Sequence, residues 1–188
     1  MDALVMCGGR GTRLDAEVEK PLVAVGDVPM VDRVRAALDA SRVGAVHAVV
    51  SPHTPATRDH LRAAGVPVVE TSGEGYVADL TAALDRVGRP ALTVAADLPL
   101  LAAPVVDIVL DGHGATDDDS LTAAVPVALK RRLGVSVDTT LDREGRTLAP
   151  TGCNVVDGAG DEIHVVEDPR LAVNVNRPSD LQVAEALA

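Results

Sequence analysis

The stretch Ala3-Leu4-Val5-Met6-Cys7-Gly8-Gly9-Arg10-Gly11-Thr12-Arg13 decides the fold. Its first five residues are an apolar run of strand length, and the run stops at a loop with three glycines in four positions. Glycine adopts backbone angles closed to other residues and lets the chain approach a ligand closely, so that successive N–H groups face one anion. Arg10, Arg13 and Lys20, the last followed by Pro21, gather positive charge around the same loop, as a polyphosphate requires. Two familiar phosphate-binding patterns do not fit. A Walker A loop needs GxxxxGK followed by Ser or Thr, and Lys20 lies too far downstream; the GxGxxG fingerprint is also missing.

Outward from the loop, strand-length apolar runs alternate with amphipathic helical stretches. Residues 31–38 have helical spacing, and Ala45 to Val50 reads as a second strand. Residues 57–64 are helical again, Val66 to Val69 is a third strand, and residues 77–87 carry Val77, Leu80, Ala83, Leu84 and Val87 at helical spacing. A fourth strand, Ala91 to Ala95, runs into Asp97-Leu98-Pro99. This order predicts an α/β fold: three layers, a Rossmann-like and mostly parallel sheet with helices on both faces. The second half is less regular. Leu121 to Leu129 and Leu148 to Val156 read as strands and Pro178 to Leu187 as a closing helix, while Gly112 to Ser120 and Asp138 to Arg146 read as polar loops. No internal repeat or linker divides the chain, so one domain over residues 1–188 is expected.

In a parallel sheet, ligands bind outside the carboxyl ends of the strands, so Asp97 and the glycine-rich loop should share one crevice. A carboxylate there can hold Mg²⁺ against triphosphate oxygens; the lesser alternative, were it alone, is a cap on the following helix. The net charge of −11 argues against a nucleic-acid partner, and no run is long enough to span a membrane. With no signal-peptide pattern at the start, a cytoplasmic protein is expected. Only Lys20 and Lys130 are lysines, against fifteen arginines. Acidity with few lysines and aromatics suits molar salt, where a Debye length of about 3 Å screens self-repulsion; a GC-rich codon bias would also favour arginine. Cys7 and Cys153 stand far apart and outside any CxxC pair, which argues against zinc or a disulfide. Tyr76, the sole aromatic, reads as packing at a helix start, Asp117-Asp118-Asp119 as a solvated loop without EF-hand spacing, and no histidine has ligand spacing.

The loop, the following Lys-Pro and Ala96-Asp97-Leu98-Pro99 together resemble the GT-A-type nucleotidyltransferase superfamily, which includes sugar-phosphate nucleotidyltransferases and molybdenum-cofactor guanylyltransferases. There the loop usually reads LxAGGxGTR, with alanine where this chain has Cys7. Residues 51–57 (SPHTPAT), 71–80 (TSGEGYVADL), 150–156 (PTGCNVV) and 174–181 (NVNRPSDL) resemble the archaeal adenosylcobinamide-phosphate guanylyltransferases. That resemblance spans nearly the whole chain and is weakest over residues 112–146. It implies that Cys7, Gly8, Gly9, Arg10, Gly11, Thr12 and Arg13 wrap the triphosphate of GTP and that Lys20 neutralises its α-phosphate. Ser51, Thr71, Ser72 and Gly73 would lie beside base and ribose. Asp97 would hold Mg²⁺ or another divalent cation, with Asn176 rather than Asn174 completing its ligands. Thr151, Gly152 and Asn154 would face the acceptor, adenosylcobinamide phosphate. Lys20, Arg13 and Asp97 are thus the expected catalytic residues, in a monomer or homodimer. Transfer to molybdopterin or a sugar phosphate, and a non-catalytic nucleotide sensor, are the alternatives; a sensor would not need both Lys20 and Asp97.

Overall fold

Strand β1 (Asp2–Met6) leads into the glycine-rich loop, which a single 3-10 turn at Lys20–Leu22 follows. The hairpin of β2 (Ala24–Val25) and β3 (Val28–Pro29) delivers the chain to helix α1 (Met30–Asp39). Strand β4 (Val46–Val50), α2 (Pro55–Ala63), β5 (Val68–Glu70), α3 (Tyr76–Val87) and β6 (Ala91–Ala95) complete the alternating half. Then come α4 (Ala103–Gly114), β7 (Ser120–Pro126), α5 (Val127–Leu133) and β8 (Leu141–Arg143). The chain closes with β9 (Arg146–Val156), β10 (Asp161–Val165), α6 (Pro169–Ala172) and α7 (Pro178–Leu187). These elements belong to a computed structural model that describes residues 1–115 and 120–188; the run Asp117-Asp118-Asp119 lies outside the described residues.

The main sheet runs β10-β7-β9-β6-β1-β4-β5, with β8 paired to β9. Strands β6, β1, β4 and β5 are mutually parallel, and β10 is parallel to β7. Among the described residues only the long β9 runs against its neighbours in this sheet, β6, β7 and β8. The sheet is therefore mostly parallel, as the alternating pattern implied. Period-two alternation assigns its two faces. Ala3 and Val5 of β1 pack with Val34 and Leu38 of α1, Leu61 of α2 and Val105 and Val109 of α4. Leu4, between them, packs on the opposite face with Val49, Val69 and the Ala83–Leu84 ridge of α3. A third cluster, with Leu14, Val25, Met30, Val173 and Val175, seats the loops beside the carboxyl ends. From β1 the connections run outward through β4 to β5, then return to β6 on the other side of β1. Strand order reverses there, which opens a crevice between the loops after β1 and β6.

Three stretches of the second half differ from the sequence reading. The run Leu121 to Leu129 is a strand only to Pro126 and then helix, because the next residues end in Lys130-Arg131-Arg132 and a left-handed Gly134. Basic residues in a last turn and a left-handed glycine beyond it are helix-ending features. Residues 112–114 belong to α4, where Gly112 leaves room for the His164 ring, which an added Cβ would meet at 3.0 Å. Residues 138–146 contain β8 and the turn into β9.

Candidate active site

The glycine-rich loop is shaped by what crowds it. Gly11 has a φ of 61°, and a Cβ there would lie 2.5 Å from the Lys20 Cβ, so any other residue would push Lys20 away. The Ser51 hydroxyl donates to the Gly8 carbonyl at 2.8 Å and accepts from the His53 N–H at 3.2 Å, tying the loop to the end of β4. Glu19 accepts from the Ala56 and Thr57 N–H groups at 2.8 and 2.7 Å, capping α2 and fixing the backbone just before Lys20. Among the described residues, none of the N–H groups of residues 8–13 has a protein acceptor. A row of backbone donors beside a crevice is what an anionic ligand needs.

At the floor of the crevice, the Lys20 ammonium donates to Asp97 Oδ2 at 2.5 Å and to Asn176 Oδ1 at 2.7 Å. Both side chains of the ion pair are largely buried, at 17% and 15% exposure. The loop after β1, the end of β6 and the segment before α7 thus meet at one cation. Asp97 Oδ2 and Asn176 Oδ1 converge on it as oxygen donors, one charged and one neutral, and the ammonium shows that the spot accepts positive charge. That donor set fits Mg²⁺, which takes one or two protein oxygens and completes its shell with water and substrate phosphate. Among the described residues no group of three or more His, Cys, Asp or Glu forms a dedicated metal cage.

A buried polar network supports this floor. Asn174 donates to Asp97 Oδ1 at 3.0 Å and to the Thr151 carbonyl at 2.8 Å. Its own Oδ1 accepts from Lys130, which also donates to the Ala172 carbonyl at 2.8 Å. Burial pushes the Lys130 ammonium below its ordinary pKa, opposed by the carboxylates of Asp180, Asp97 and Asp138. Asp180, fully buried, accepts from the N–H groups of Ser136, Asn176 and Arg177 and from the Ser136 hydroxyl. Burial alone would raise its pKa, but those hydrogen bonds outweigh it and hold the carboxyl below the usual range. Burial pushes the thiols of Cys7 and Cys153 up to about 12, so neither is a nucleophile at neutral pH.

The crevice has a volume of about 350 Å³, and Cys7, Gly8, Gly9, Arg10, Lys20, Gly73 and Asp97 of the expected residues line it. Ser51 sits beneath the loop, and the Thr71 hydroxyl donates to the Val50 carbonyl. Arg13 reaches sideways to Asp138 at 2.8 Å. Two polar lining side chains, His53 and Asp79, were given no role in the sequence. Asp79 is 5% exposed; its Oδ1 accepts from the Gly73 N–H at 3.0 Å, and among the described residues Oδ2 has no donor. Its position in the first turn of α3 places it beside the glycine loop, a juxtaposition invisible in sequence. Tyr76 is not packed away but 54% exposed, and it lines a second cavity of about 430 Å³ as well. That cavity lies over β7, β9 and β10, with Thr122, Leu141, Asn154, Asp161 and Ile163 in its wall. Gly152 and Asn154 line it, while the Thr151 hydroxyl turns into the sheet and donates to the Ala123 carbonyl. Gly152, with φ +81°, passes so near Ala95 that a Cβ would meet that residue's Cβ at 2.9 Å.

Comparison with known proteins sets this geometry in context. Residues 3–134 match the MobA-like NTP transferase domain. The sequence is 32% identical to the adenosylcobinamide-phosphate guanylyltransferase of Methanocaldococcus jannaschii, over 100% of this chain and 97% of that protein. A solved structure of a hypothetical transferase from Thermus thermophilus superposes with a TM-score of 0.71 at 20% identity, covering 96% of this chain and 98% of the other. A CMP:2-keto-3-deoxy-manno-octonic acid synthetase complexed with CTP superposes with a TM-score of 0.71 at 14% identity, covering 99% and 96%. Likeness at such low identity speaks to the fold alone.

Proposed function

The chain belongs to the MobA-like NTP transferase family and is a nucleotidyltransferase, and from that premise we propose that it transfers GMP from GTP to adenosylcobinamide phosphate, releasing pyrophosphate. The observation that carries this reading is the free row of N–H groups over residues 8–13 beside the Lys20–Asp97–Asn176 centre. The acceptor's phosphate oxygen attacks the α-phosphorus in line, and the bond from that phosphorus to the β-phosphate bridging oxygen breaks. The attacking phosphate is already an anion, so no general base is needed. The protein's work is positioning and charge neutralisation. Backbone N–H groups of the loop hold the β- and γ-phosphates, and Lys20 neutralises charge gathering on the α-phosphate. Asp97 and Asn176 would hold a divalent cation, which when bound would neutralise charge on the triphosphate. The proposal treats residues 1–188 as one catalytic domain, since Asn176 near the end meets Lys20 near the start.

Guanine preference rests on Asp79. Its free Oδ2 in the crevice wall is an acceptor for the guanine N1–H and 2-amino group, whereas adenine offers a lone pair at N1. A buried polar group left unpaired costs about 1–3 kcal/mol, which favours GTP over ATP. The relative named above is a guanylyltransferase acting on adenosylcobinamide phosphate. The second cavity, open on the sheet face beside α3, supports an acceptor whose bulk stays outside the crevice. Among the described residues no Lys or Arg lines it and Asp161 does, which disfavours an anionic body there.

Pyrophosphate release, measured with GTP or ATP and with adenosylcobinamide phosphate or molybdopterin, tests the reading. It should appear with GTP and the cobinamide; equal rates with ATP, or transfer to molybdopterin alone, would overturn the donor or the acceptor. The chain has no described helix long and apolar enough to cross a membrane, and the reading takes it as a cytoplasmic protein working in molar salt. A net charge of −11 motivates that setting. Circular dichroism from low to molar KCl should show folding only toward the high end, and full heat stability at low salt would remove it.

A further inference from the structure

We propose that Lys130 is a positioning residue for the transfer: through the Asn174 carboxamide it fixes how Asp97 presents its carboxylate to the reacting centre. The inference rests on the nucleotidyl-transfer reading and on Asp97 as cation holder, not on the identity of the acceptor.

The chain has two lysines, and both end in the same polar cluster. Lys20 enters from the crevice and Lys130 from beneath, on α5, where it is 4% exposed in a helix that also buries Val127 and Leu129. Taking an ammonium out of water is costly, and an apolar side chain of similar length would fill the space without that cost. Nor, among the described residues, is Lys130 half of an ion pair. Its hydrogen bonds go to two neutral acceptors, the Ala172 carbonyl and Asn174 Oδ1. The carboxylates of Asp180, Asp97 and Asp138 attract it through space.

What the ammonium does is visible at Asn174. A carboxamide has two ends, one accepting and one donating. Lys130 takes the oxygen at 3.1 Å, which leaves the NH₂ group facing Asp97 Oδ1 at 3.0 Å and the Thr151 carbonyl at 2.8 Å. The flipped amide would set its oxygen against a carboxylate and a carbonyl, and its NH₂ against an ammonium. Lys130 therefore excludes the flip. With Oδ1 held by Asn174, Asp97 keeps Oδ2 for the spot that Lys20 and Asn176 share. The Asp97 carbonyl, bonded to the Val175 N–H at 3.0 Å, locks the backbone of the same residue to the same segment.

The test uses the full chain as wild type, Lys130→Met, Asn174→Leu and the double variant. Turnover and the KM for GTP are measured with acceptor present. Binding of Mn²⁺ with a non-hydrolysable GTP analogue is measured by electron paramagnetic resonance without acceptor. Loss of a partner that orients a ligand commonly costs about tenfold to a hundredfold in metal affinity or activity. Lys130→Met should lose roughly tenfold in both turnover and Mn²⁺ affinity, with KM for GTP within about twofold. Because both residues act along one path, the double variant should be no worse than Asn174→Leu. Wild-type turnover and Mn²⁺ affinity in Lys130→Met overturn the proposal, and so do losses that add in the double variant. Should Lys130→Met fail to fold, Asn174→Leu alone carries the expectation, and wild-type behaviour in that variant overturns it. Absence of nucleotide-dependent Mn²⁺ binding in the wild type would instead overturn the reading of the site, and this proposal with it.

Discussion

The crevice beside the glycine-rich loop is walled by backbone and charge, with Gly8, Gly9, Arg10, Lys20, Asp79 and Asp97 around it, whereas the neighbouring cavity is walled by side chains of one sheet face, Thr122, Asn154 and Ile163 among them. The two share Tyr76 and Ala95 and otherwise differ in origin. The first is made where loops leave β1 and β6, so backbone N–H groups and charged side chains meet at the strand ends. The second is made where α3, seated over β1, β4 and β5, leaves the rest of that face to β7, β9 and β10. Loops at strand ends bring N–H donors and charges to one point, which suits a triphosphate. A bare sheet face brings alternate side chains, which suits shape and neutral hydrogen bonds.

That contrast breaks most directly at the charged floor. Lys20→Ala and Asp97→Asn should each lower turnover between about a hundredfold and a thousandfold, or ~2.7–4 kcal/mol of transition-state stabilisation. Lys20→Ala acts mainly on turnover, and Asp97→Asn also raises the metal concentration required. Near-normal pyrophosphate release from either would dissolve the distinction between a catalytic cavity and a docking one.

Next in size is Asp180, whose carboxylate gathers donors from Ser136, Asn176 and Arg177. Asp180→Ala leaves them unpaired in the interior and should cost about 2 kcal/mol in urea unfolding at neutral pH. The sign with pH follows from its depressed folded pKa. The stabilisation is fully present above the unfolded value near ~3.9 and is lost as pH falls through the lower folded value. The gap between wild type and variant should therefore narrow in acid; a gap constant down to the lowest pH would exclude the carboxylate as its source.

Smaller again is the selective effect at Asp79. Asp79→Asn should shrink the preference for GTP over ATP by about tenfold, ~1.4 kcal/mol, read by isothermal titration with each nucleotide. An unchanged ratio would move guanine recognition to the backbone around Ser72 and Gly73. The mildest change belongs to the second cavity. Asn154→Ala should raise the acceptor KM by about threefold, within the range of one neutral hydrogen bond, and leave GTP affinity alone. If GTP weakens instead, the two cavities are one site.

How much of this was legible in the sequence follows the same division. The alternating half could be read because each strand, its loop and its helix are contiguous, so Gly8–Gly9 and Asp97 announce themselves at the ends of apolar runs. The second half could not. Strand β10, Asp161–Val165, has too few apolar residues to signal itself, and it exists because β7 offers an edge in parallel register. Helix α4 carries Gly112, which suggests a break in sequence but in the fold clears the His164 ring. The site divides likewise. Lys20 and Asp97 could be named from motif and position, but Asp79 lies within a helix and reaches the glycine loop only after folding. Lys130 meets Asn174 across 44 residues, a pairing no local pattern encodes.

Tyr76 has one more consequence. With no Trp and no other Tyr or Phe in the chain, the near-ultraviolet absorption and emission of the folded protein arise almost wholly from the ring that lines both cavities. The molecule is optically silent everywhere except where its two cavities meet. A ligand that absorbs at the tyrosine emission wavelengths would dim that single signal as it docks, so occupancy of the junction can be followed by light alone, with no label and no turnover.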